Sequence, residues 1–270
     1  MNAPLLSTPR VEPFFFDADP GTRFSLYHAP AAHVAPRGAI LYVHPFAEEL
    51  NRSRRMAALQ SRQFAALGFA VLQIDLFGCG DSCGDFNAAR WDLWKRDLAT
   101  ALAWLADRSS GPLQLWGLRL GGLLALDFAR ARHVDGIILW HPFLQGRSCI
   151  DQFLLLDGAN DAADQRARLT AQGQIEINGY ELSAPLAKAI DACDAASMVL
   201  PACPVHWFAC SAPAPRRLAA TAARLAAAWA PHGTALHLHA IDGLPFWEGG
   251  APQCPALLAA TSAVFAQEPA

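Results

Sequence analysis

The sequence predicts an α/β fold, a mostly parallel, doubly wound sheet in a single domain over residues 1–270, with a cap or lid inserted at 146–200. Three observations predict it. Apolar residues make up 53% of the 270 and charged residues only 17%, a composition that supports a large buried core and not disorder. Short continuous apolar runs alternate with amphipathic stretches, as parallel strands buried on both faces alternate with crossover helices. The alternation stops near Gly146 and resumes near Leu200, so the polar, irregular stretch between them, including QIEINGYEL at 174–182, reads as an insertion over the sheet.

The elements follow in chain order. Arg23–His28 is a short strand after the turn at Pro20-Gly21. Gly38–His44 (GAILYVH) is a strand apolar on both faces, and Asn51–Leu67 is a helix capped by Asn51 or Ser53 and stopped by Gly68. Phe69–Asp75 is the next buried strand, followed by the glycine-rich loop GCGDSCG at 78–84. Trp91, Trp94, Leu98, Leu102 and Leu105 recur every three or four residues, with Asp92, Lys95, Arg96 and Asp97 on the other side, which describes an amphipathic helix. Leu113–Gly117, Gly136–His141, Val205–Cys210 and Ala235–Ile241 complete the strands. Leu120–Ala131, Pro215–Ala230 and Ala256–Phe265 are helices.

Composition excludes several function classes. With 21 basic and 24 acidic residues the net charge is −3, which argues against nucleic acid or anionic membrane as the main partner. No run approaches the roughly 20 apolar residues of a spanning helix. The opening MNAPLLSTPR lacks the basic and apolar regions of a signal peptide. Seven scattered cysteines read as reduced core thiols, and Cys79-x-x-x-Cys83 has no second pair to make a zinc site. The expectation is a cytoplasmic protein with no metal and no cofactor, acting on or holding a small or acyl ligand.

Open α/β sheets bind ligands beyond the carboxyl ends of their strands. The residues at those ends are His44-Pro45-Phe46-Ala47-Glu48-Glu49, Asp75 to Ser82, Gly117-Leu118-Arg119-Leu120-Gly121-Gly122, His141-Pro142-Phe143, Cys210-Ser211, and Asp242 to Trp247. Strand, G-L-R-L-G-G, helix resembles the nucleophile elbow G-x-S-x-G of α/β-hydrolases, with Arg119 at the nucleophile position. IDLFGCGDS is similar to the D-x-x-G-x-G-x-S loop of many bacterial members, and HPF stands where they carry an oxyanion turn. HPFAEELNRSRRMAALQ (44–60), VLQIDLFGCGDSCGDF (71–86), WGLRLGGLLAL (116–126) and LWHPFLQGR (139–147) resemble a narrower group, the exosortase A system-associated hydrolase 2 family. INGYELS (177–183) and GLPFW (243–247) add to that likeness, whereas 148–173 is the least informative stretch. The resemblance implies a bacterial α/β-hydrolase fold working beside exosortase and exopolysaccharide machinery.

A Ser-His-Asp triad is not legible. Arg119 stays protonated and cannot attack a carbonyl. The later strand ends offer His141 and Cys210-Ser211 where an acid belongs, and no histidine follows His239. Ser82 and Cys79 read as loop packing, Cys210 as a core thiol, and His237 and His239 as one face of a strand packed under a helix. The candidate catalytic residues are therefore Arg119, Glu48, Glu49 and His141. The candidate substrate-binding residues are His44, Phe46 and Leu120, with the Phe46 and Leu120 N–H groups as an oxyanion receptor.

Arg119 either helps receive an anion or only neutralises a neighbouring acid. In the second case Glu48 or Glu49 forms a charge-assisted, bidentate pair with it, and the other glutamate meets Arg52, Arg54 or Arg55. Two functions stay open: an atypical ester or thioester hydrolase or acyl-transferase, and a catalytically silent protein that holds an anionic or acyl ligand.

Overall fold

The computed structural model describes residues 10–210, 215–249 and 253–266. The chain begins with a hairpin of β1 (Val11–Asp17) and β2 (Thr22–His28), then β3 (Gly38–Val43), α1 (Glu48–Ala66), β4 (Phe69–Ile74), α2 (Trp91–Ala106), β5 (Leu113–Leu118), α3 (Leu120–Ala129) and β6 (Gly136–Trp140). Residues 146–200 follow as α4 (Gly146–Leu154), α5 (Ala162–Gln172), β7 (Gln174–Ile177), β8 (Tyr180–Ser183) and α6 (Ala184–Asp191). The chain then returns to β9 (Pro204–Cys210), α7 (Pro215–Trp229), β10 (Ala235–Ile241) and α8 (Pro255–Ala266).

Eight strands form one sheet in the order β1-β2-β4-β3-β5-β6-β9-β10. β1 and β2 are antiparallel, β2 runs antiparallel to β4, and the strands from β4 to β10 are parallel. The period of two sorts residues between the faces. Leu41, Leu72, Leu115 and Leu139 pack with Leu98, Leu102 and Leu105 of α2 on one face. Ile40, Val71, Trp116, Ile138 and Phe208 pack with Phe64 of α1 and Phe265 of α8 on the other.

Four differences from the sequence reading have physical causes. β1 is absent from it because Pro13 interrupts the run, yet an edge strand tolerates a proline. α1 starts at Glu48, not at Asn51. Its N-cap is Ala47 without a side-chain cap bond, Ser53 is buried, and Glu48 and Glu49 supply the negative charge its first turn favours. Asp97 does not face solvent. It is 1% exposed and pairs at 2.8 Å with Arg23, which is fully buried, and it accepts the Phe77 N–H at 2.8 Å.

Residues 146–200, finally, are regular and not irregular. Asn178 and Gly179 have φ of 49° and 82°, the left-handed pair a two-residue hairpin turn requires. Arg166 of α5 binds Asp151 of α4 and Asp191 of α6, each at 2.6 Å. Gly146 N–H donates to Cys193 O and Ala195 N–H to Leu144 O, both at 2.8 Å, so the two ends of the segment are zipped together. A Cβ on Gly146 would stand 1.7 Å from Ile190 O; only glycine fits that approach of α4 to α6.

The loop at 78–84 braces the sheet edge. Ser82 Oγ donates to Asp75 O and accepts the Phe24 N–H, while Arg54 holds both carboxylate oxygens of Asp75. Of the strand histidines, His239 lies against Phe208 with ring centroids 4.4 Å apart and shares a 3.1 Å hydrogen bond with His206. His237 is exposed and stacks on His206, so it is not packed under a helix. All seven cysteines are free thiols.

Two outcomes follow for stability. Leu98 is fully buried, so Leu98→Asp removes about 2–3 kcal/mol of apolar burial and adds the larger cost of an unpaired charge. Expression with sedimentation and circular dichroism should find it unfolded or aggregated. Burial holds His28 and His206 neutral with pKa values lowered to about 4. Between pH 6.5 and 4 the unfolded chain therefore binds more protons than the native one, and this stabilisation, full above pH 6.5, is lost as pH falls toward 4. Urea midpoints measured across that window should drop, and less so in His28→Gln.

Candidate functional site

Three strand ends meet at the carboxyl edge of the sheet, and each turns through a non-glycine residue at positive φ. They are Ala47 after β3 (50°), Arg119 after β5 (55°) and His141 after β6 (42°). Such conformations cost about 1–3 kcal/mol each and persist where packing fixes them. At Arg119 the packing is explicit. A Cβ on Gly117 would lie 2.5 Å from Gly121 O, and one on Gly121 would lie 2.3 Å from Val43 O. Arg119 N–H donates to Trp140 O at 3.0 Å, and Arg119 O accepts the Phe143 N–H at 3.2 Å. G-L-R-L-G-G thus makes a tight strand-to-helix elbow with Arg119 at its apex.

The Arg119 side chain is 7% exposed. Nε donates to Glu49 Oε1 at 3.1 Å and Nη2 donates to Gln152 Oε1 of α4 at 2.9 Å. The guanidinium lies 4.0 Å over the Phe143 ring and 5.2 Å from that of Trp247. Glu48 pairs instead with Arg52 at 2.6 Å. The expected partner for Arg119 is present, but not as a bidentate pair. Gln152 takes one half of the fork, and Glu49 Oε2 is left buried with no hydrogen-bond partner. Burial pushes the Glu49 carboxyl above the usual range, against the opposing pull of Arg119.

His141 is half-buried, its ring 4.7 Å from that of Trp247. Burial first and the Arg119 charge second lower its pKa to about 4, and its Nδ1 is buried without a partner. His44 does not face the site. Its Nδ1–H donates to Pro45 O at 2.7 Å and its Nε2 accepts the Leu76 N–H at 3.2 Å, so this neutral ring ties two loops together.

Little space lies beside Phe46 and Leu120. His44, Phe46, Leu120 and Gly121 border a void of only about 10 Å³, at the lower limit for a single water. Phe46 reaches a different space. A cavity of about 390 Å³ opens between the sheet edge and α4, walled by Phe46, Phe143, Phe153, Leu156 and Trp247, with Glu49 and Gln152 among its polar groups. Arg119 lies behind that wall, covered by residues that line the cavity.

Two of these residues escaped the sequence reading of the site. Trp247 stood in the strand-end loop GLPFW but was not given a role, and Gln152 lies in a stretch with no motif. Cys149 also borders the cavity, with its thiol held protonated by burial. Beside Cys254, Cys210 is pushed up to about 12, chiefly by burial, and Ser211 lies outside the described residues. Among the described residues no three His, Cys, Asp or Glu side chains are arranged to hold a metal, and no helix is long and apolar enough to cross a membrane.

The architecture has many solved relatives. Est1E from Butyrivibrio proteoclasticus, solved with ferulic acid bound, superposes with a TM-score of 0.66 at 15% identity, covering 94% of this chain and 96% of that one. Mouse alpha/beta hydrolase domain-containing protein 10 gives 0.63 at 16% identity, over 94% of this chain and 98% of its own. At such identities the likeness concerns the fold. No curated protein sequence matches the chain. Residues 34–238, which carry β3 to β9 and the elbow, match the serine aminopeptidase S33 family, and the chain belongs to that family of α/β-hydrolases.

Proposed function

We propose that this chain is a hydrolase-fold binding protein that holds a small acyl ligand in the cavity beneath residues 146–200, which act as its cap. One observation carries the reading. The elbow apex is an arginine whose charge is already spent on Glu49, Gln152 and Phe143, so it offers neither a nucleophile nor an open anion site. The small void beside Leu120 supports the same reading, since it offers little room for an oxyanion. An acyl ligand is favoured over the anionic one because Glu48, Glu49 and Glu248 border the cavity. The motif likeness of 44–60, 71–86, 116–126 and 139–147 supports a cytoplasmic role in a bacterium, beside exosortase and exopolysaccharide machinery.

A second reading, the atypical ester or thioester hydrolase or acyl-transferase, draws on Glu49. Its carboxyl has a raised pKa, an unpaired Oε2 and a place in the cavity wall, which are properties of a general base. Short and long p-nitrophenyl esters and acyl thioesters separate the two. The binding reading expects hydrolysis no faster than buffer from the native protein and from Arg119→Ala. Turnover that disappears in Glu49→Gln and in Arg119→Ala would establish the second.

Arg119→Ser should also fail to create an efficient esterase, because no histidine or acid stands where the elbow serine needs one. An esterase rate within tenfold of ordinary serine hydrolases would show that His141 or another base is in reach after all.

A further inference from the structure

Arg119 organises a second polar group besides Glu49. Gln152 Oε1 accepts from Arg119 Nη2 at 2.9 Å, and since the guanidinium only donates, the orientation of the Gln152 amide is fixed. Its oxygen is turned to the arginine, so its NH₂ carries the free hydrogen-bonding capacity. Gln152 is exposed and borders the 390 Å³ cavity, whereas Glu49 Oε2 is fully covered. The other polar side chains at the cavity include Arg52, which is engaged by Glu48 and by Glu248 O.

The walls are apolar and mostly aromatic, and Glu48, Glu49 and Glu248 oppose a second negative charge. The site thus combines a hydrophobic body, one oriented neutral donor and an acidic surround. This arrangement complements an uncharged carbonyl oxygen attached to an apolar group and rejects a free carboxylate.

We infer that Gln152 is the anchor for the ligand's carbonyl oxygen, and that the pocket takes neutral acyl compounds (esters, thioesters or amides) and not the corresponding acids. The inference rests on the reading of the cavity as a ligand site and names the chemistry that site selects. It gives the donor role to a side chain of the cap and not to the backbone pair at Phe46 and Leu120. It also gives Arg119 a positioning role, holding the amide so that its N–H groups face the ligand.

Three probes of one shape test it: methyl 3-phenylpropanoate, 3-phenylpropanoate and butylbenzene, titrated at pH 8 by calorimetry and by tryptophan fluorescence. The native protein should bind the ester at least tenfold more tightly than the acid. Gln152→Leu should weaken ester binding about tenfold, the worth of one hydrogen bond, and leave butylbenzene unchanged.

Gln152→Glu keeps a partner for Arg119 but loses the donor, so it should lose the ester equally and report on the N–H groups and not on folding. Matching circular dichroism and melting temperatures complete the comparison. Ester affinity that survives both substitutions, or an acid that binds as well as the ester, overturns the assignment. If neither the ester nor butylbenzene binds the native protein, the ligand-site reading falls and the assignment falls with it. If butylbenzene binds and only the ester preference is missing, the site stands and the Gln152 role is refuted.

Discussion

The buried charge of Arg119 is the constraint around which the carboxyl edge of this protein is arranged. A guanidinium 7% exposed at the apex of an elbow must be compensated where it stands, since leaving one partner of a buried pair unmatched costs several kcal/mol. The protein divides the task. Glu49 supplies charge from the first turn of α1, Gln152 supplies an oxygen from α4, and Phe143 and Trp247 supply aromatic faces. Each comes from a different connection, so one side chain ties the strand ends, the 146–200 segment and the last loop together. A serine at the same apex would ask for none of this.

Compensation of the same kind recurs at the antiparallel side of the sheet. The antiparallel strand β2 is held to α2 by Arg23 and Asp97, both almost fully buried. Asp97 also takes the Phe77 N–H, and His44 takes the Leu76 N–H, so the loop after β4 hangs from two buried side chains. Asp75 and Arg54 brace its far side. The carboxyl edge between β3 and β4 is therefore tied by buried side chains. The 146–200 segment reaches that edge through Gln152 and through Phe153, which packs on Phe46.

The fold was readable because its signals are repetitive. Apolar runs marked β3, β4 and β6, the continuing alternation of strands with helices marked β5, β9 and β10, and the 3.6-residue period marked α2. What failed was what depends on tertiary partners. Asp97 looked like a solvated residue, since nothing local announces that Arg23, more than 70 positions away, will be buried against it. The start of α1 was misplaced because Ala47 carries none of the side-chain capping chemistry that marks a helix start. The Asn-Gly turn of β7 and β8 was a readable hairpin signal that polar surroundings obscured. At the site, strand-end position alone marked Glu48 or Glu49 as the partner of Arg119, and only the fold selects Glu49. Gln152 could not, because an amide in an amphipathic helix has no periodic signature and gains meaning only from what faces it.

Ala47 bears on how the elbow itself should be understood. Its backbone, at φ 50° and ψ −127°, nearly repeats Arg119, at φ 55° and ψ −120°. Both residues are N-caps without a side-chain cap bond, and both follow a buried parallel strand by only a few residues. Alanine has no chemistry to offer, so its strain cannot be a device for presenting a nucleophile. It arises from turning a strand into a helix within a few residues while Gly121 packs against Val43 and His44. The same cause is sufficient at position 119. Elbow geometry is then a property of the scaffold, retained by packing alone, and the identity of the apex side chain decides what the scaffold does. With arginine there, the elbow becomes the post from which Glu49 and Gln152 are hung.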